Sequence, residues 1–209
     1  SKKNLNKILE PNNKKTILFL MGCLVERNHF RFGLNREKSE TSLWEFHYDI
    51  LCLLKKYQNK YNIIFKDYHH GHKSLWKKIL RDINADKILY ISNEYKVNDL
   101  LRTSDLNITP WGTTVFFEAL YFDADIFVIE EDIFEELLEG DTKDEIYYFN
   151  NNKNFLLELE KYLEKGNFYT RDKTNSKNYF LQLDYLNKRN ELLNKSLSSL
   201  TENSEQLFK

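Results

Sequence analysis

Residues 86–132 read DKILYISNEYKVNDLLRTSDLNITPWGTTVFFEALYFDADIFVIEED, short apolar runs alternating with helix-period segments. The spacing predicts buried strands over 87–92, 105–110 and 125–130, with helices over 97–103 and 113–121 between them. A βαβαβ order of this kind builds a parallel sheet, whose ligands sit in the crevice beyond the carboxyl ends of the strands. The turn Trp111-Gly112-Thr113-Thr114 falls at that edge. Free backbone N–H groups and the positive end of the helix dipole attract an anion there, and the two Thr hydroxyls add donors. Thr is equally a good N-cap, so the same residues suit a plain helix start.

Upstream, KTILFLMG over 15–22 predicts a buried strand ending in Gly22, where a glycine permits close backbone approach. A polar loop over 26–41 follows and carries Arg27, His29, Arg31 and Arg36. The arginine fork suits phosphate or carboxylate, although a loop charge is most often only solvated. Ser42 and Glu45 have capping-box spacing, which predicts a helix start with Leu43, Phe46, Ile50, Leu53 and Leu54 on its apolar face. A strand over 61–68, the corner His69-His70-Gly71-His72 and a helix over 74–83 complete the first half. Downstream, the pattern predicts an acidic helix over 133–139, a short strand over 145–149, a helix over 153–165 and a long leucine-rich helix over 178–200. The expected fold is therefore a single Rossmann-like, three-layer α/β domain over 1–209. It has a mostly parallel sheet of about six strands, a core over 15–165 and a long C-terminal helix.

Composition narrows the function classes. A chain of 209 residues is ample for one core, and no Pro- or Gly-rich linker divides it. With 31 basic and 32 acidic residues, charge offers no footprint for nucleic acid as a partner. Cys23 and Cys52 lack metal-type spacing and read as buried thiols of a reduced, cytoplasmic protein. No apolar run reaches the ~18 residues of a membrane span. The polar SKKNLNK opening on Ser1 points to a fragment or a lost start.

Leu100-Leu101, Ser104-Asp105-Leu106, Ile108-Thr109, Thr113-Thr114 and Glu118-Ala119-Leu120 together resemble the C-terminal, nucleotide-sugar-binding half of GT-B glycosyltransferases. The likeness is greatest to the bacterial surface-polysaccharide transferases that move sialyl, Kdo or polyol-phosphate groups. It covers the quoted stretch well and the rest of the chain through strand order. The resemblance implies that Gly112, Thr113 and Thr114 grip the donor phosphate and that Glu118 accepts from the ribose hydroxyls. A carboxylate suits that second task, since it accepts from two vicinal hydroxyls at once. Arg27 and Gly22 fall on the same donor-binding edge. In such families a His-Pro pair stabilises the departing nucleotide. Here His70, with His69 second, stands in that place as the catalytic candidate, and Gly71 follows where the family has Pro. The corner suits two other roles, a surface turn or a metal site, but no carboxylate or Cys of convincing spacing joins the imidazoles. Ser92-Asn93, ending a strand, is placed to line a base pocket or to form an ordinary turn.

The resemblance further implies a CMP- or UDP-linked sugar as donor, no metal or other cofactor, and a glycan or lipid-linked acceptor. The catalytic base would come from an N-terminal GT-B half or a separate acceptor-binding subunit. The location implied is cytoplasmic, with a peripheral place at the inner face of the membrane. Two other identities fit the same residues: a non-catalytic nucleotide- or sugar-binding module, and half of a nucleotide-sugar epimerase-like protein.

Overall fold

Runs of β-branched and aromatic residues set the strands, because their stiff side chains pack well on a pleated surface. The strands are β1 (Thr16–Leu20), β2 (Asn62–Lys66), β3 (Ile88–Ile91), β4 (Leu106–Pro110), β5 (Asp125–Ile129) and β6 (Tyr147–Phe149). Among them run helices α1 (Glu40–Lys56), α2 (Lys73–Asp82), α3 (Val97–Leu101), α4 (Thr114–Ala119), α5 (Asn152–Lys165) and α6 (Thr174–Leu181). The computed structural model describes residues 13–21, 40–67, 73–92, 94–110, 114–129, 145–149, 151–168 and 171–181. The segments 133–139 and 182–200, read as helical from sequence, lie outside the described residues. No described helix is long and apolar enough to cross a membrane.

The strands form one sheet in the order β3-β2-β1-β4-β5-β6, and every pairing is parallel. Parallel strands are covered on both faces, which is why β1 is buried at each of its positions instead of alternating. Ile17, Phe19, Phe65, Ile108 and Phe127 pack with residues of α1, α2 and α5. Leu18, Leu20, Ile64, Ile91 and Val128 pack with α3 and α4 on the other face. The result is the three-layer, Rossmann-like α/β fold expected, with a sheet that is parallel throughout.

Helix ends show where local signals were overruled. The helix α1 begins at Glu40, so Ser42 lies inside it and does not occupy the N-cap that the capping-box spacing assigned. A cap contributes only about 1 kcal/mol. Packing of the first turns outweighs it: Trp44 stacks on Trp76 at 4.7 Å, and Phe46 meets Phe155 edge-on at 5.4 Å. Cys52 on this helix is a free thiol and half-buried, not a core residue.

The helix α5 is closed at both ends. Asn151 accepts from Lys153 N and Asn154 N, while Gly166 adopts φ +69° and donates to Tyr162 O. Lys60 Nζ and Tyr61 Oη donate to the Leu163 carbonyl at 2.8 and 2.7 Å, satisfying the last turn. A Cβ at Gly166 would sit 3.2 Å from both Lys60 Nζ and Tyr61 Oη. Gly166→Ala is therefore expected to cost about 1 kcal/mol from backbone strain alone. Urea unfolding should show this as a lower midpoint at unchanged slope.

The helix α6 begins four residues before the leucine pattern suggested. Its first turn, Thr-Asn-Ser-Lys, carries no apolar signal, and carboxylates set its start. Asp172 accepts from Thr174 N at 3.0 Å, and Glu145 accepts from Asn175 N and Ser176 N at 3.0 and 2.7 Å. Acids at a helix start complement its dipole.

Candidate functional site

Chain order and sheet order together locate the site. From β1 the chain adds strands outward through β2 to β3, then returns to place β4 on the other side of β1. Ligands of open parallel sheets bind in the crevice at such a switch point, beyond the carboxyl ends, here those of β1 and β4. Backbone pairing carries past the strands at this edge: Met21 N donates to Lys66 O and Asp67 N to Ile91 O, each at 3.0 Å.

Several of the sequence candidates follow the ends of these strands in the chain. Gly22 follows Met21, His69 and His70 follow the end of β2, and Gly112, Thr113 and Thr114 follow the end of β4. Parallel pairing brings the three strand ends together. Gly22, Arg27, His69, His70, Gly112 and Thr113 themselves lie outside the described residues, as does Asn93. Thr114 opens α4. Glu118 lies further along the same helix and is half-buried, while Phe116 and Ala119 of that helix are fully buried. Among the described residues, no three His, Cys, Asp or Glu side chains are grouped to hold a metal ion.

Part of the motif faces the other way. Ser104 and Asp105 precede β4 and sit at the amino edge of the sheet. Asp105 accepts from Thr16 N and Lys15 Nζ, both at 2.8 Å, and its own N–H donates to Thr16 O. Ser104 Oγ lies 3.0 Å from Leu101 O and 2.6 Å from Asn107 Oδ1. These residues stitch β1 to β4 and close the turn after α3. Asp105→Ala is expected to cost about 1–3 kcal/mol through the lost charge-assisted bonds. It should leave any ligand affinity of the folded protein unchanged, which paired melting and calorimetric titrations would check.

A polar cluster that sequence reading passed over occupies the carboxyl edge at β2 and β3. Lys66 ends β2 with its Nζ donating to the Ser92 carbonyl. Asp67 is buried and accepts from Tyr90 Oη at 2.8 Å. Glu94 accepts from Ser92 N at 2.7 Å and from Lys73 Nζ at 3.1 Å. Burial pushes the Lys66 amine below the usual lysine range, against the pull of Asp67 and Glu94. Burial first, then the Asp67 carboxylate, raises the Tyr90 phenol well above its ordinary value. Backbone N–H groups and Lys73 hold the Glu94 carboxyl low, with burial opposing them. The signal available in sequence was the pair Lys66-Asp67 closing the apolar run Ile-Ile-Phe, two opposite charges where a buried strand stops. His47 was also missed. It is fully buried on α1, its ring 5.7 Å from Phe19.

No protein-family model matches the sequence, and no curated protein matches it. Solved structures do. A glycosyltransferase from Rickettsia africae superposes with a TM-score of 0.50 at 15% identity, over 78% of this chain and 41% of that one. The C-terminal domain of a group 1 family glycosyl transferase, LpcC, from Francisella tularensis gives 0.50 at 14%, over 83% and 88%. HepE from Anabaena, solved with UDP-glucose, gives 0.55 at 12%, over 95% and 52%. The chain thus spans about half of two of these proteins and most of a domain excised from the third. The chain shares its Rossmann-like α/β fold with these glycosyltransferase structures.

Proposed function

We propose that the chain is the donor-binding domain of a GT-B-like glycosyltransferase acting in bacterial surface-polysaccharide synthesis. One observation carries this most directly: the switch point of the sheet lies between β1 and β4, and β4 is the strand whose carboxyl end is followed in the chain by α4. The likeness to HepE bound to UDP-glucose supports a nucleotide sugar as the ligand. Thr113, Thr114 and Gly112 hold the donor phosphate, Glu118 the ribose, and Arg27 with the backbone at Gly22 adds to the anion seat. His70, with His69 beside it, donates to the phosphate oxygen that takes up charge as the glycosidic bond breaks. Positioned donors of this kind stabilise a departing phosphate without a metal ion. A CMP- or UDP-linked sugar is the donor, and a glycan or lipid-linked chain the acceptor. The base that deprotonates the acceptor comes from a second GT-B half or a partner subunit.

A thermal-shift and calorimetric screen against CMP, CDP, UDP, GDP and ADP tests this. A single saturable nucleotide that raises the melting temperature by mass action supports it. No response at millimolar nucleotide counts against it. In the Thr113→Ala/Thr114→Ala double variant the affinity for that nucleotide is expected to fall by about tenfold or more, the worth of one or two bonds to a charged group. Unchanged affinity would reduce the turn to a helix cap.

A further inference from the structure

The end of β2 carries a charge that strand formation does not need. Register sets Leu20, Lys66 and Ile91 side by side across β1, β2 and β3. Alternation from Ile64 puts this row on the face covered by α3 and α4. Leu20 and Ile91 are core residues, 4% and 3% exposed, and Lys66 between them is only 7% exposed. The backbone at this edge is already paired through Asp67 N and Ile91 O. Among the described residues no carboxylate forms an ion pair with Lys66 within 4.0 Å, and its recorded partner is the Ser92 carbonyl. Burying an ammonium in this way is unfavourable unless other groups satisfy it. An ammonium has three N–H donors, and the Ser92 carbonyl takes one.

The charges around Lys66 decide which ligand group suits those donors. Lys66 and Lys73 are already balanced by Asp67 and Glu94, both near enough to act on the Lys66 amine. A phosphate brought here would meet two carboxylates. A neutral carbonyl oxygen would not. We propose that Lys66 is a specificity-determining residue of the donor site, its ammonium donating to a carbonyl oxygen of the nucleotide base. Uracil, cytosine and guanine carry such an oxygen, and adenine offers only ring nitrogens as acceptors. This inference rests on the donor-binding function proposed above and adds the residue that selects the base.

Calorimetric titration of the 209-residue chain with UMP, CMP, GMP and AMP tests it, using wild type, Lys66→Met and Lys66→Arg. Wild type is expected to bind at least one oxo-base nucleotide about tenfold more tightly than AMP, the effect of one charge-assisted bond. Lys66→Met should lose that advantage while AMP affinity stays put, and Lys66→Arg, which keeps a donor, should recover most of it. Melting curves confirm that each variant is folded. A folded Lys66→Met that keeps the wild-type preference, or that weakens all four nucleotides alike, overturns the role. If Lys66→Met does not fold, the wild-type series alone decides, since equal affinity for AMP and for the best oxo-base nucleotide overturns it. Absence of binding to any of the four in wild type would instead overturn the donor-binding function itself.

Discussion

Phe127→Ala is expected to lower the unfolding free energy by about 3–5 kcal/mol, the range for truncating a large aromatic in a closed core. Phe127 is fully buried in β5, and its ring is a hub between the sheet and α5. It stacks on Tyr147 at 4.2 Å and meets Tyr162 and Phe155 edge-on at 5.2 and 5.9 Å. The short strand β6 and the helix α5 both rest on it, so surrounding side chains cannot collapse into the cavity without losing their own contacts. For a domain of this size the loss corresponds to a fall in melting temperature of roughly 10 °C. Leu157→Ala, at an exposed position of α5, should stay within about 0.5 kcal/mol. Equal effects from the two would mean that the aromatic cluster does not bear on stability.

Asp125→Ala is expected to cost about as much, roughly 3–5 kcal/mol, for an electrostatic reason. Asp125 opens β5 at the amino edge and accepts from Tyr162 Oη in the core. Its carboxylate also acts on Lys173, which is 2% exposed and whose Nζ donates to Ala124 O at 3.1 Å. Burial drives the Lys173 amine below its ordinary value, and Asp125 is the largest influence that opposes this. Removing the carboxylate leaves the buried Tyr162 phenol without this acceptor and the buried Lys173 cation without its main compensating charge. Because Lys173 leads into α6, the damage should appear first as loss of that helix. Hydrogen exchange across 171–181 checks it, and a destabilisation no larger than that of an exposed Asp123→Ala control would refute it. Asp125 and the ligand edge lie at opposite ends of the strands, so any nucleotide affinity should persist in the fraction that stays folded.

The residues of the quoted stretch show how much of the molecule was local information. Apolar runs bounded by Asn, Asp, Gly and Pro placed β3, β4 and β5 within one or two residues, since strand burial leaves a direct trace in hydrophobic pattern. The candidate edge was legible for the same reason: in any parallel sheet, whatever follows a strand's carboxyl end arrives on one side. Glu118, expected on the helix after β4, lies half-buried on α4.

Other features were invisible for physical causes that can be named. The capping box at Ser42 was a sound local signal, overruled because stacking of Trp44 on Trp76 outweighs one hydrogen bond. The start of α6 depends on Glu145, some thirty residues earlier in the chain. Asp105, read as the first residue of its strand, clasps Thr16, a partner 89 residues earlier that no local pattern points to.

By itself, then, the sequence determined the element types, their order and the parallel α/β class, because each follows from periodicity within a dozen residues. Only the tertiary structure decided the strand order, and with it the switch point between β1 and β4. It also decided that Lys66 lies in an apolar row beside Leu20 and Ile91. Those are relations between residues far apart in the chain, set by which faces bury against which, and no local pattern encodes them.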